Sequence, residues 1–343
     1  MRMFTVFQFL SGRSIPAALR YDDEDDDVMS PMTRCSRPAV PGWTADRMPS
    51  QEGRTFVVTG ATSGLGLVTA QELAARGGRV LLAVRDIARG EAVASSLRHA
   101  HADAQVEVHQ VDLLDLGSIR RAADRMAEEA AVDVLINNAG IASVGHAVTP
   151  QGSETHLMAN HFGHFALTAL LEPALRRASA PRVVTVTSYM HERGDLDLED
   201  LAWLRRRYTP LAAYSASKLA NAVFGVELAR RERTSPRPIT SVLAHPGYSN
   251  TPMQRKGNGP TGAAMRLSGN LFGQDAEMGA LPQLFAATET GLEAGAYIGP
   301  DGRGGRSGYP HRAALSSDAQ DPALGRRLWE RSEEITGIRW PSV

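Results

Sequence analysis

One cysteine, Cys35, stands in a chain of 343 residues. A single thiol excludes a disulfide framework and a thiolate-rich metal site, and it suits a reducing compartment. Lysine is almost as scarce. Of 37 basic residues, all but Lys218 and Lys256 are arginine. The apolar run MFTVFQFL at the N-terminus is far shorter than the ~20 residues that a membrane-spanning helix needs. No G-K-[ST] follows a glycine-rich turn, which excludes a P-loop nucleotidase. The absence of H-E-x-x-H and of G-x-S-x-G removes support for zinc-protease and α/β-hydrolase chemistry. Charge of one sign is lacking too. The formal net charge is −1, which gives no bulk attraction to nucleic acid or to an anionic membrane. The one basic run, Arg205–Arg207, reads as a solvated face.

The first fifty residues differ from the rest. YDDEDDD is an acidic block, and MSPMTRCSRPAVPG is rich in proline and small residues. Such a segment cannot bury enough apolar surface to offset its ordering entropy, so residues 1–50 are expected to be a disordered extension. MFTVFQFL follows an arginine, as in a secretory signal, yet no clear small-residue cleavage site precedes the acidic run. Met32 and Met48 are alternative starts. The catalytic domain is assigned to residues 51–343, with a cytoplasmic location.

From Arg54 onward, six short aliphatic runs alternate with alanine- and leucine-rich stretches of helical spacing. The runs are RTFVVT, RVLLAV, QVEVHQV, DVLINN, PRVVTVTS and PITSVLA. They are read as carrying no polar alternation, so they suit strands buried on both faces of a parallel sheet. GAYIG is a seventh candidate, and PALGRRLWERSEEITG reads as a closing helix that ends at a glycine. The fold class is α/β: one doubly wound Rossmann domain, with a central, mostly parallel sheet of about seven strands flanked by helices.

Ligands of such sheets bind beyond the carboxyl ends of the strands. After the first strand comes TGATSGLG, with Gly60, Thr62, Ser63, Gly64, Leu65 and Gly66. Glycines there let the backbone turn tightly and approach a pyrophosphate at a helix N-terminus. The spacing departs from G-x-G-x-x-G, and a plain strand-to-helix turn is the alternative. After the second strand stands Arg85, where an NAD site often carries an acid. A guanidinium suits a ribose 2′-phosphate, so NADP(H) is favoured over NAD(H), with the neighbouring Asp86 arguing the other way. Asp112 and Leu113 follow the third strand, the carboxylate placed to accept from an adenine amino group. Asn138, Ala139 and Gly140 follow the fourth, small residues where a ribose must come close. Asn137 or Asn138 capping the strand end is the structural alternative.

The rare lysine completes the pattern. Tyr214 and Lys218 stand at i and i+4 in YSASK, on one helix face. The motifs TGATSGLG, NNAG, YSASK and HPGYSNT occur in the order found in the short-chain dehydrogenase/reductase family, which the chain resembles from about Trp43 to its end. AVRD and YSASKLAN are similar to its retinol dehydrogenase and protochlorophyllide reductase-like bacterial branch. The 26-residue step from Ser188 to Tyr214 also matches that branch.

The resemblance implies a catalytic tetrad of Asn160, Ser188, Tyr214 and Lys218. Tyr214 is then the general acid toward a carbonyl oxygen, and Lys218 brings its phenol into range while donating to the nicotinamide ribose. Ser188 hydrogen-bonds the substrate oxygen, and Asn160 holds a water in the proton path. Pro246, Gly247 and Thr251 border the nicotinamide carboxamide.

His156, His161 and His164 resemble a ligand set, but His156 falls well away from the other two on a helix, so they read as helix-packing and surface histidines and no metal is expected. Residues 189–211 and the glycine-rich 248–274 are expected to set specificity. Met253, Met265, Leu267, Leu271 and Phe272 suggest an apolar substrate, or simply dock that segment on the core. The leading function is NADP(H)-dependent interconversion of a carbonyl and an alcohol on a small apolar substrate. The alternatives are carbon–carbon double-bond reduction and a non-catalytic NADP-sensing protein. No nucleic acid and no integral membrane segment is expected, and homo-oligomer formation is left open.

Overall fold

The computed structural model describes residues 42–248 and 274–341. The acidic extension, Cys35, Lys256, Thr251 and the methionine-bearing stretch 249–273 lie outside the described residues. Among the described residues, eight strands form one sheet in the order β3-β2-β1-β4-β5-β6-β7-β8. They are β1 Thr55–Thr59, β2 Arg79–Val84, β3 Val106–Gln110, β4 Val134–Asn137, β5 Arg182–Val186, β6 Thr240–Ala244, β7 Tyr297–Pro300 and β8 Pro310–Arg312. Neighbours are parallel except β8, which pairs antiparallel with β7. The order reverses between β1 and β4, which opens a crevice at their carboxyl ends. At three residues, β8 is too short to leave a sequence period and was not foreseen.

The helices are α1 Gly64–Ala75, α2 Ile87–Ala100 and α3 Leu116–Met126, followed by the composite α4. Helix α4 runs as Thr155–Leu157, a π-helical stretch Met158–Phe162, and Gly163–Leu175. Then come α5 Pro210–Glu232, α6 Ala276–Thr288 and, after a single turn at Ser317–Gln320, α7 Pro322–Thr336.

Successive strand residues serve opposite layers. Phe56, Val58, Leu82, Ile136 and Val184 pack with α1, α2 and α6. Val57, Leu81, Leu135 and Val183 pack with α3, α4, α5 and α7. Both faces are covered, so the central strands read as unbroken aliphatic runs.

Residues 42–50, grouped with the extension on composition, pack on this domain. Trp43 is 2% exposed and meets Phe285 of α6 edge-on at 5.3 Å, while Met48 is also buried. One large aromatic is enough to anchor a short polar stretch, and composition averages hide it. The three histidines of α4 are likewise all buried, with none on the surface. Each bonds a different partner. His156 meets Glu154 (2.7 Å), His161 meets Ser332 (2.9 Å) and His164 meets Thr59 (3.0 Å).

Two predictions follow from this packing. Trp43→Ala should cost about 3–5 kcal/mol of stability, read as a shift in denaturant midpoint, because the cavity cannot collapse against the sheet. Burial also pushes His161 and His245 down to about 3 and His164 to about 4, against an ordinary 6.5. Their neutral forms stabilise the fold fully above pH 6.5, and that stability is lost as pH falls toward the folded values. A thermal midpoint that drops between about pH 6.5 and 4.5 is expected. A flat midpoint there would contradict the burial of these rings.

Candidate active site

The β1–α1 turn is shaped by glycines. Gly60 has φ +70°, a region that costs a side chain strain. A Cβ on Gly66 would stand 2.4 Å from Asn138 Nδ2 and 2.6 Å from the Gly60 carbonyl oxygen. This close approach leaves a cleft of about 370 Å³ at the sheet's carboxyl edge. Gly60, Thr62, Ser63, Gly64, Leu65, Gly66, Arg85, Asp112, Leu113, Asn138, Ala139 and Gly140 all line it. The donor set fits a dinucleotide: a bare backbone turn at a helix N-terminus, a guanidinium on one rim and a carboxylate beyond it.

Asp86 also lines the cleft, with one carboxylate oxygen engaged in a helix cap. It is the N-cap of α2, where its Oδ1 accepts from the Arg89 N–H at 3.1 Å. The cap brings Arg89 into the first turn, and this second exposed guanidinium lines the cleft beside Arg85. Arg89 was missed in the sequence. Its signal was the Asp-x-x-Arg spacing, an N-cap followed three residues on by a base.

A second cavity of about 150 Å³ lies beside the cleft, and Leu65, Asn138, Ala142 and Ser143 line both. Ser188, Tyr214, Lys218, Pro246 and Gly247 line this second cavity with Val186, Tyr189, Met190, Leu211 and Tyr248. The extra segment before Tyr214 therefore contributes its two ends to the wall. Its middle docks elsewhere, with Tyr208 donating to the Val144 carbonyl at 2.8 Å and the Glu154 N–H donating to the Leu201 carbonyl at 2.8 Å. The ends of the 248–274 stretch are pinned, since the Gln274 N–H donates to the Tyr248 carbonyl at 2.9 Å.

Helix α5 carries the tyrosine and lysine. Thr209 caps it, accepting from the Ala212 N–H at 3.1 Å, and Pro210 begins it. Lys218 is 3% exposed. Its ammonium donates to the Val186 carbonyl at 3.0 Å and sits 5.8 Å from the centre of the Tyr214 ring. Ser188 caps the short helical turn Tyr189–Arg193, accepting from the Met190 N–H at 3.2 Å, and it lines the same cavity as the Tyr214 phenol.

Asn160 sits in the middle of the π-helical stretch, a distortion often found at functional positions. Its Oδ1 accepts from the Ile141 N–H (2.7 Å), and its Nδ2 donates to the Ile141 carbonyl (3.0 Å) and to Ser217 Oγ (2.9 Å). Both amide protons are taken up by protein, so this side chain clamps the 138–141 segment to α5. Asn138 acts as the strand-end tie that local reasoning allowed, with Nδ2 donating to the Thr59 carbonyl at 2.7 Å, while still facing both cavities.

Without dinucleotide, burial pushes Tyr214 up to about 12, opposed by Ser188. Burial likewise pushes Lys218 down to about 8. Desolvation penalises the charged form of each group.

A family model described as short chain dehydrogenase matches residues 54–260. That span contains the glycine turn, the cleft, and Asn160, Ser188, Tyr214 and Lys218. The chain belongs to the short-chain dehydrogenase family. It is an oxidoreductase acting between CH–OH and C=O, in a family that binds a nicotinamide dinucleotide. It is 38% identical to Retinol dehydrogenase 13 of Homo sapiens over 299 residues, covering 85% of this chain and 87% of that one. It is 39% identical to Polyprenol dehydrogenase of Mus musculus over 298 residues, covering 84% and 86%. A crystal structure of an uncharacterized protein from Mycobacterium Paratuberculosis superposes with a TM-score of 0.73 at 43% identity, covering 88% of this chain and all of the other.

The glycine turn makes a direct prediction for this dehydrogenase. Gly66→Ala should abolish dinucleotide binding in a fluorescence titration, because the Gly60 backbone cannot retreat from the added carbon without closing the cleft. Unchanged affinity would show that the turn has room that its contacts deny.

Proposed function

We propose that the protein is an NADP(H)-dependent reductase of an apolar aldehyde or ketone, with alcohol oxidation as its reverse. The observation that carries this reading is the wall shared by the cleft and the tyrosine-bearing cavity. A dinucleotide laid along the cleft from Arg85 ends where Tyr214 and Ser188 converge. When bound, the dinucleotide supplies the hydride. The protein's own residues manage the oxygen.

Ser188 and the Tyr214 phenol meet the carbonyl oxygen in this reading. A phenol held near 12 remains protonated through the neutral range, as a proton donor must. The Lys218 ammonium, fixed by the Val186 carbonyl, lies on the same side as the charge that develops. Lysine is a compact charge with rotatable donors, and a planar guanidinium does not fit that enclosed place. The cavity's Val186, Met190, Leu211 and Tyr248 favour an apolar substrate. The retinol and polyprenol named for two relatives support the same class.

Arg85 and Arg89 support NADP(H), since two guanidinium groups on the rim, with the intervening acid occupied as a cap, suit a 2′-phosphate. Replacing both with alanine should weaken NADPH binding by at least about tenfold while leaving NADH nearly unchanged, one charge-assisted bond being worth about 1.5–3 kcal/mol. Equal loss for both dinucleotides would contradict the assignment.

Tyr214→Phe should lower turnover by roughly 10²–10⁴ with dinucleotide affinity preserved, measured as NADPH oxidation against a panel of apolar aldehydes and ketones. Reduction should stay level through neutral pH and fall as the phenol ionises, whereas oxidation needs the ionised phenol and should climb with pH. Opposite trends would overturn the assignment of Tyr214 as acid.

A further inference from the structure

His164 lies one turn beyond Asn160 on α4 and is 2% exposed. It borders neither cavity. Its ring nitrogens meet different partners: Nδ1 is 2.9 Å from the Asn160 main-chain oxygen, and Nε2 is 3.0 Å from Thr59 Oγ1. Thr59 Oγ1 also receives the peptide N–H groups of Asn138 and Ala139, each at 2.9 Å.

A hydroxyl oxygen has two lone pairs and one hydrogen. The two peptide donors fill the lone pairs, so it is the hydroxyl hydrogen that faces Nε2. The other acceptor in reach, the Ile136 carbonyl, is farther away at 3.3 Å. Nε2 is therefore bare, and the ring carries its proton on Nδ1, where it donates to Asn160. Burial, with Lys218 adding to it, keeps the ring neutral.

The bonds point one way. They run from the peptides of 138 and 139 to Thr59, then to His164, then to the Asn160 carbonyl. From Asn160 the side chain reaches Ile141 and Ser217, and Ser217 donates to the Tyr214 carbonyl at 2.7 Å. Residues 138–141, the segment between cleft and cavity, are thus held at one end by Thr59 and at the other by Asn160. His164 joins the two holds.

We propose that His164 is a positioning residue for the reaction. Through Thr59 and Asn160 it keeps the wall shared by cleft and cavity in register with the tyrosine helix. This rests on the reading of that cavity as the place where the carbonyl is reduced.

Two variants separate positioning from space filling. His164→Phe retains the ring volume and loses both bonds. His164→Asn retains a donor toward the Asn160 carbonyl but leaves a void. Turnover should rank wild type, then Asn, then Phe, with Phe lowered about tenfold or more in kcat and KM moving far less. Thermal midpoints should place Phe at or above Asn, the reverse order. Turnover that simply follows the thermal midpoint overturns the proposal, as does wild-type kcat in His164→Phe.

An imidazole ¹⁵N spectrum of the wild-type protein at neutral pH should show the Nδ1–H form at His164, and this decides the matter even where a variant does not fold. An Nε2–H form breaks the chain of bonds and the proposal with it. A wild-type protein that reduces no carbonyl but shows the Nδ1–H form counts against the proposed reaction and leaves the bonding chain intact.

Discussion

Partial shielding of Tyr214 and near-complete burial of Lys218, one turn apart on helix α5, govern the chemistry of this protein. The lysine ammonium is held by a strand-end carbonyl, and the phenol faces the cavity that Ser188 also lines. Removal from water makes both groups reluctant to carry charge, so the phenol keeps its proton and the ammonium gives its proton up more easily than usual. A buried lysine of this kind is poised rather than inert. Lowered to about 8, it still carries its charge at neutral pH, and a negative partner beside it would hold that charge more firmly.

The doubly wound sheet explains why that turn of helix faces a cleft at all. Strand order reverses between β1 and β4, and the segments leaving those strands diverge. The glycine turn after β1 and residues 138–141 after β4 line the gap, while β5 delivers Val186 and Ser188 from the next position. The π-helical stretch of α4 lies where Asn160 bonds both the 138–141 segment and Ser217.

Most of the architecture could be read in the chain because buried parallel strands write themselves as uninterrupted aliphatic runs. VVT, VLLAV and VVTV each serve two packed layers, and alanine-rich stretches between them supply the helices. The glycine turn and the Tyr-x-x-x-Lys pair were readable for another reason: few residue types satisfy a close backbone approach or a buried compact cation. What stayed hidden depends on distance in sequence. Trp43 finds Phe285 across more than half the chain, His164 finds Thr59 across the sheet, and neither contact leaves a periodic trace. Spacing along a helix reveals which groups are neighbours, but how far each is shielded from water is a property of the whole fold.

The central claim is that burial, not the lysine, sets the acidity of Tyr214 in the dinucleotide-free protein. The most direct test is a pH titration of the Tyr214 ring by NMR, with ¹³C at the phenol carbon and Tyr214→Phe to assign the signal. The account predicts that this phenol is still protonated at pH 10, where an ordinary tyrosine is half ionised. A Tyr214 half ionised at or below pH 10 without dinucleotide would contradict it and return control of the proton to Lys218.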